Sequence, residues 1–144
     1  HNDIRRYQKK ISGPLLDRLD LTIHVPRLEY GDLVRNMEQE SSAVIRRRVE
    51  AARVIQHKRL QKFGFYANAQ MEHKHIKKLC KMTAESTDIL KQAFIKMNLS
   101  ARGYDRIIKV AQTIADLSGM EQIEATHIAE AIQFRNDFQT ISRK

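Results

Sequence analysis

A chain of 144 residues with 42% apolar content can fill one small core, or the core of one domain and a piece of another. Two prolines, five glycines, no tryptophan and 30% charged residues disfavour a turn-rich sheet protein and favour helices. The single cysteine, Cys80, excludes an internal disulfide and fits a reducing cytoplasm, while the lack of any apolar run near ~20 residues, or of a signal-peptide pattern, predicts a soluble protein with no membrane partner. A formal net charge of +9 favours polyanionic partners, nucleotide or nucleic acid, without choosing between them.

In chain order, residues 4–11 suit a short basic helix, and Gly13 and Pro14 punctuate it. Pro14 belongs in the first turn of a second short helix that ends at Arg18. Residues 20–25, DLTIHV, place Leu21, Ile23 and Val25 on one face of a predicted strand stopped by Pro26. A lone strand leaves its backbone groups unpaired, so this one requires a sheet that the rest of the sequence does not supply. The chain therefore reads as part of something larger.

A long helix is predicted over residues 42–63, with Ser41 or Ser42 as its cap and Ile45, Val49, Ala52, Leu60 and Phe63 in a narrow apolar arc. Gly64 ends it, and residues 65–71 read as a connecting loop. Further helices are predicted at 73–81, 84–97, 101–117 and 125–138, before a frayed polar tail at 140–144. Thr83 and Ser100 are the expected N-caps of the second and third of these, and Gly119 closes the third. Short connections make them a compact bundle around Ile107, Val110, Ala111, Ile114 and Leu117. Cys80 falls beside Ile76 and Leu79 at helical spacing, which predicts an inert core thiol.

Arg18 is the first candidate for chemistry, because a planar, permanently charged guanidinium suits phosphate oxygens; the alternative pairs it with Asp17 or Asp20 on a surface. Arg102, Arg106 and Lys109 share the face of their helix opposite the apolar stripe, as a ligand face or a solvated one. Arg46, Arg47, Arg48, Arg53, Lys58, Arg59 and Lys62 make the long helix densely basic, but at 100° per residue they point several ways rather than lining one groove. Phe63, Phe65 and Tyr66 follow this run and are expected to anchor the core or the loop rather than stack on bases. His73 and His75 are two apart and diverge on a helix, so they make no metal pair. No GxxxxGK[ST] phosphate loop, no apolar strand ending in an acidic pair, and no Ser/His/Asp or Cys/His set occurs in the sequence.

ISGPLLDRLDL at 11–21 and SARGYDRIIKVAQTIADL at 100–117, together with RRYQKKISGPLLDR, ESSAVIRRRVEAAR, NAQM and HIAEAIQFR in the same order, resemble the C-terminal part of the magnesium-chelatase-like AAA+ ATPases. The resemblance is strongest to their competence-protein (ComM/YifB) branch and covers nearly the whole chain. It implies a mainly α fold: a four-helix lid bundle preceded by a long helix and a short remnant (helix, turn, one strand) of the α/β core. Residues 1–26 would end the core, 27–72 would be a connector with the long basic helix, and 73–144 the lid.

By the same resemblance, Arg18 matches the arginine finger that reaches the γ-phosphate of ATP on a neighbouring subunit. Arg102 matches the sensor-2 arginine that the lid presents to nucleotide, and Arg106 is a second nucleotide contact. ATP with Mg²⁺ is the implied cofactor, bound mainly by an N-terminal part outside this sequence, so the fragment alone is expected to be inactive. The implied partners are its own AAA+ core, neighbouring subunits of a homo-oligomeric ring, and DNA, in branch migration or strand exchange during competence. The magnesium in the family's name describes a relative's substrate and gives no reason to expect chelatase activity. Lid motion is expected to turn about loop 65–71. Gln39 replaces the branch's usual glycine, which leaves the loop before the long helix open, and Phe134 its usual tyrosine. The competing readings are a stand-alone basic module that binds nucleic acid through residues 46–62, and a pure assembly domain.

Overall fold

The computed structural model describes residues 18–23, 25–27, 29–31 and 39–143, with side chains as far as Arg135. The predicted helix at 4–11, the turn around Gly13 and Pro14, and most of the loop before the long helix lie outside the described residues. Among the described residues from 39 onward there are five α-helices: α1 Ser42–Leu60, α2 His73–Leu79, α3 Ala84–Lys96, α4 Ala101–Leu117 and α5 Ala125–Arg143. Among the described residues there is no strand, only a parallel bridge between Met82 and Ile123 that ties the entry of α3 to that of α5.

The predicted strand over 20–25 does not form in its described residues, which lie outside helix and strand. Its physical requirement is the reason: a strand needs a neighbouring edge, and the described residues offer none. The segment instead rests on the bundle through Thr22, whose backbone N–H donates to the Phe134 carbonyl at 2.9 Å and whose hydroxyl donates to the same oxygen. Because Phe134 serves through its backbone here, a phenylalanine or a tyrosine meets this need equally.

The long helix stops where glycine permits it to. A 3₁₀ turn over Gln61–Phe63 follows α1, and Gly64 adopts φ 72°, a left-handed geometry that reverses the chain. Ser41 occupies the N-cap position of α1, but its hydroxyl makes no capping bond; its carbonyl accepts from Val44 and Ile45. Thr83 Oγ1 accepts from the Ser86 N–H at 3.2 Å and Ser100 Oγ from the Gly103 N–H at 3.0 Å, the two caps expected from sequence. Gly119, at φ 70°, ends the turn after α4.

Two further starts use a device the residue types alone do not announce. The Glu72 N–H donates to His75 Nδ1 at 3.2 Å before α2, and the Glu124 N–H donates to His127 Nδ1 at 3.0 Å before α5. In each, a buried histidine three residues into the helix takes the place of the glutamate of a capping box. The two candidate histidines of α2 accordingly diverge. His75 packs edge-on to Phe63 and Phe65, while the exposed His73 pairs with Asp105 Oδ1 at 2.8 Å.

Helix α4 is the centre of the bundle, packed by α1, α2 and α5. Ile107, Ile108, Ala111 and Ala115 are buried along it, while Val110 and Ile114 lie at the margin of the core and Leu117 is exposed. The buried seam is thus rotated from the predicted stripe toward Ile108 and Ala115, because neighbours press on α4 from more than one side. Leu60, Met71, Ile76, Leu90, Ile123 and Ile128 complete the core. The apolar arc of α1 is used only at its C-terminal end: Ala52 and Leu60 are buried, but Ile45 and Val49 are 41% and 44% exposed.

Cys80 is buried in this core, and desolvation pushes its thiol up to about 12. At pH 8 the thiolate fraction is then about one in ten thousand. A thiol–disulfide exchange reagent is expected to leave Cys80 unmodified in the native chain and to titrate it on unfolding. Rapid labelling of the native chain would contradict the burial.

Candidate functional site

The basic run of α1 divides in two. Arg46, Arg47, Arg53, Lys58 and Lys62 face solvent, and Arg48 forms a two-pronged pair with Glu40 at 2.9 and 3.1 Å. Arg59, one of the cations of that run, turns inward. Its Nη1 and Nη2 meet Asp116 Oδ1 and Oδ2 at 2.8 and 2.6 Å. The Asp116 carboxylate has no solvent exposure, and it also accepts from Asn68 Nδ2 at 2.8 Å and Gln112 Nε2 at 3.2 Å. Asn68 in turn accepts from Arg59 Nη2 at 2.9 Å and donates to Thr113 at 3.0 Å.

This network explains the NAQM stretch. Asn68 is the buried partner, Gln70 Oε1 accepts from the Tyr66 and Ala67 N–H groups, and Met71 fills the core. The 3₁₀ turn Asn68–Gln70 is held further by Lys109, whose Nζ donates to the Ala69 carbonyl at 3.1 Å. Residues 65–71, expected to act as a pivot, are therefore fastened to both α1 and α4. Buried polar bonds that must break together make a poor hinge.

On the neighbouring surface, the start of α4 and the entry to α2 enclose a cleft of about 490 Å³, within the range of small-molecule sites. Its polar lining is Glu72, His73, Arg102, Asp105, Arg106 and Lys109. Two residues expected from sequence, Arg102 and Arg106, are thus brought together with Lys109. The Lys74 ammonium, which donates to Glu72 at 2.9 Å, holds that carboxyl below its ordinary value.

Of Arg102, Arg106 and Lys109, Arg102 alone has no hydrogen bond or ion pair among the described residues, and it is exposed. Arg106 Nη1 lies 2.8 Å from Asp20 Oδ1, with the arginine side chain 19% and the aspartate 52% exposed. The contact is one of charge: Nη1 is enclosed, and no acceptor among the described residues meets it in hydrogen-bond geometry. Arg18 is exposed in the turn two residues before Asp20. Asp20, one of its two suggested partners, is thus taken by Arg106; the other, Asp17, lies outside the described residues.

Gly103 carries a packing requirement of its own. A Cβ at this position would sit 2.9 Å from Arg135 Nη2 and 3.2 Å from its Cζ, so the glycine lets the Arg135 guanidinium lie against the first turn of α4. The stretches SARGYDR and HIAEAIQFR, far apart in sequence, meet at this point.

By its helical fold, this is a lid-type domain. It belongs to the magnesium chelatase ChlI family, in the branch of the competence protein ComM and YifB: the family model described as magnesium chelatase, subunit ChlI C-terminal, matches residues 39–135, and that of magnesium chelatase, subunit ChlI, matches residues 1–33. The chain is 43% identical over 133 residues to the competence protein ComM of Haemophilus influenzae, covering 92% of this chain and 25% of that protein. It is 38% identical over 131 residues to YifB of Escherichia coli, again 90% of this chain against 25% of the relative, and 35% identical to the Mycobacterium bovis protein Mb2921c over 91% against 26%. The chain thus spans about a quarter of the length of the curated relatives it matches. No helix among the described residues is long and apolar enough to cross a membrane.

Proposed function

We propose that this chain is the C-terminal, lid-containing region of a ring-forming AAA+ ATPase that works on DNA in competence, with residues 1–26 ending the ATPase core, 27–72 connecting and 73–144 forming the lid. The observation that carries the reading is the exposed Arg102 guanidinium, which has no partner among the described residues and lines a cleft whose other cations are already engaged. An anion entering there meets a donor with no competing partner. The kinship with a protein named for competence supports the biological setting, and the solvent-facing cations of α1 supply charge for a DNA backbone.

The residues present fit the phosphates of ATP. Arg102 would contact them directly, Arg106 would lend the enclosed Nη1 donor, and Arg18 would act on ATP held by a neighbouring subunit. By the family resemblance, Mg²⁺ would arrive with ATP and be held mainly by the N-terminal part of the longer protein. When bound, Mg²⁺ neutralises charge on the phosphates; the part of this chain is to bind and orient them.

The test is Arg102→Ala in the full-length protein. Losing one preorganised donor is expected to lower ATP turnover about 100-fold with ring size unchanged. Turnover equal to wild type would remove Arg102 from the site and favour a basic binding or assembly module.

A further inference from the structure

We propose that Asp20 is a positioning residue that links nucleotide capture at the cleft to the placement of Arg18, by competing with phosphate for the Arg106 guanidinium. The inference rests on the nucleotide reading of the cleft. Among the described residues, the segment carrying Arg18 meets the helical bundle through neighbouring positions: Asp20 reaches Arg106 at 2.8 Å, and Thr22 is pinned to the Phe134 carbonyl. Arg18 is two residues from the first contact, at most about 7 Å of extended chain. Whatever moves Asp20 therefore moves the base of Arg18.

The Asp20 contact is built to be exchangeable. The aspartate is half exposed, so water compensates it on release, and Arg106 Nη1 keeps an unmet donor even while the carboxylate is beside it. A phosphate brings more charge and more acceptors than one misaligned carboxylate oxygen. No other group in the cleft takes over the role: Asp105 is paired with His73, Glu72 with Lys74, and Lys109 is bonded to the Ala69 carbonyl. Because coupling is reciprocal, an Asp20 that weakens phosphate binding is itself loosened by phosphate to the same degree. Thr22 then remains as the tether about which the freed segment turns.

Equilibrium binding of a fluorescent ATP analogue and steady-state hydrolysis by the full-length protein test this in Asp20→Asn, Arg106→Gln and the double variant. Asp20→Asn, which removes the competitor, is expected to tighten nucleotide binding about fivefold, the low end for coupled sites. At subsaturating ATP, where empty clefts of the wild type still hold Asp20 beside Arg106, the same change is expected to lower turnover per bound nucleotide about tenfold, because Arg18 is no longer placed. The gain in affinity must vanish in the Arg106→Gln background. Unchanged affinity in Asp20→Asn, a gain that persists without Arg106, or tighter binding with unchanged turnover per bound nucleotide at subsaturating ATP each overturns the proposal. Arg102→Ala run alongside separates the two failures: weak binding in Arg102→Ala with an unaltered Asp20→Asn sinks only the link, whereas wild-type binding in Arg102→Ala sinks the nucleotide reading beneath it.

Discussion

Asp116→Ala is expected to cost the domain about 3–5 kcal/mol of stability, the loss typical when one partner of a buried ion pair is removed. The carboxylate has no solvent exposure and accepts from Arg59, Asn68 and Gln112 at once. Alanine would leave the inward-turned Arg59 charge facing a hole and strip the turn Asn68–Gln70 of its main acceptor. For a bundle of this size the midpoint of thermal unfolding should fall by at least about 12 °C. The double change Arg59→Met with Asp116→Leu should recover part of that loss, because it removes both charges together while Asn68 keeps Thr113. Arg53→Ala, on the exposed side of the same helix, should change stability by less than about 0.5 kcal/mol. A loss below about 1 kcal/mol in Asp116→Ala, measured by denaturant titration, would mean that the network is dispensable.

The second large effect is on chemistry. Arg18→Ala in the full-length protein is expected to lower ATP turnover about 1000-fold while nucleotide binding is retained, since an arginine finger acts on the charge that develops in phosphoryl transfer. The exposure of Arg18 in a turn, free of Asp20, is what a side chain reaching toward a neighbouring subunit requires. Hydrolysis measured with and without branched DNA, at matched oligomeric state, separates this from a structural role. Unchanged turnover would assign Arg18 to the surface and strengthen the binding-module alternative.

The C-terminal end of α1 and the helices that follow it share one core. Leu60 and the Arg59–Asp116 pair make that end of the long helix part of the bundle, while its N-terminal half stays outside. Under the proposed function, a lid moving with nucleotide would carry this end of α1 with it, since Ala52 is the first buried residue of the helix.

What the sequence determined by itself were the features that act over a few residues. The caps at Thr83 and Ser100, the left-handed closures at Gly64 and Gly119 and the 3.6-residue periodicity of α4 are local, so they follow from residue type and spacing. The family was legible for the same reason, since its stretches stand in order along the chain. Tertiary structure alone decided what depends on a distant partner. Arg59 looked like its solvated neighbours until Asp116, 57 residues away, drew it inward. Loop 65–71 looked mobile until Asn68 and Lys109 fastened it to α4. DLTIHV carried a strand's alternation, yet the described residues offer no edge to pair with it, and Asp20 and Thr22 were spent on Arg106 and Phe134 instead. Alternation and charge state what a segment can do; which partner satisfies a buried donor or a fixed charge is settled only when the chain has folded back on itself.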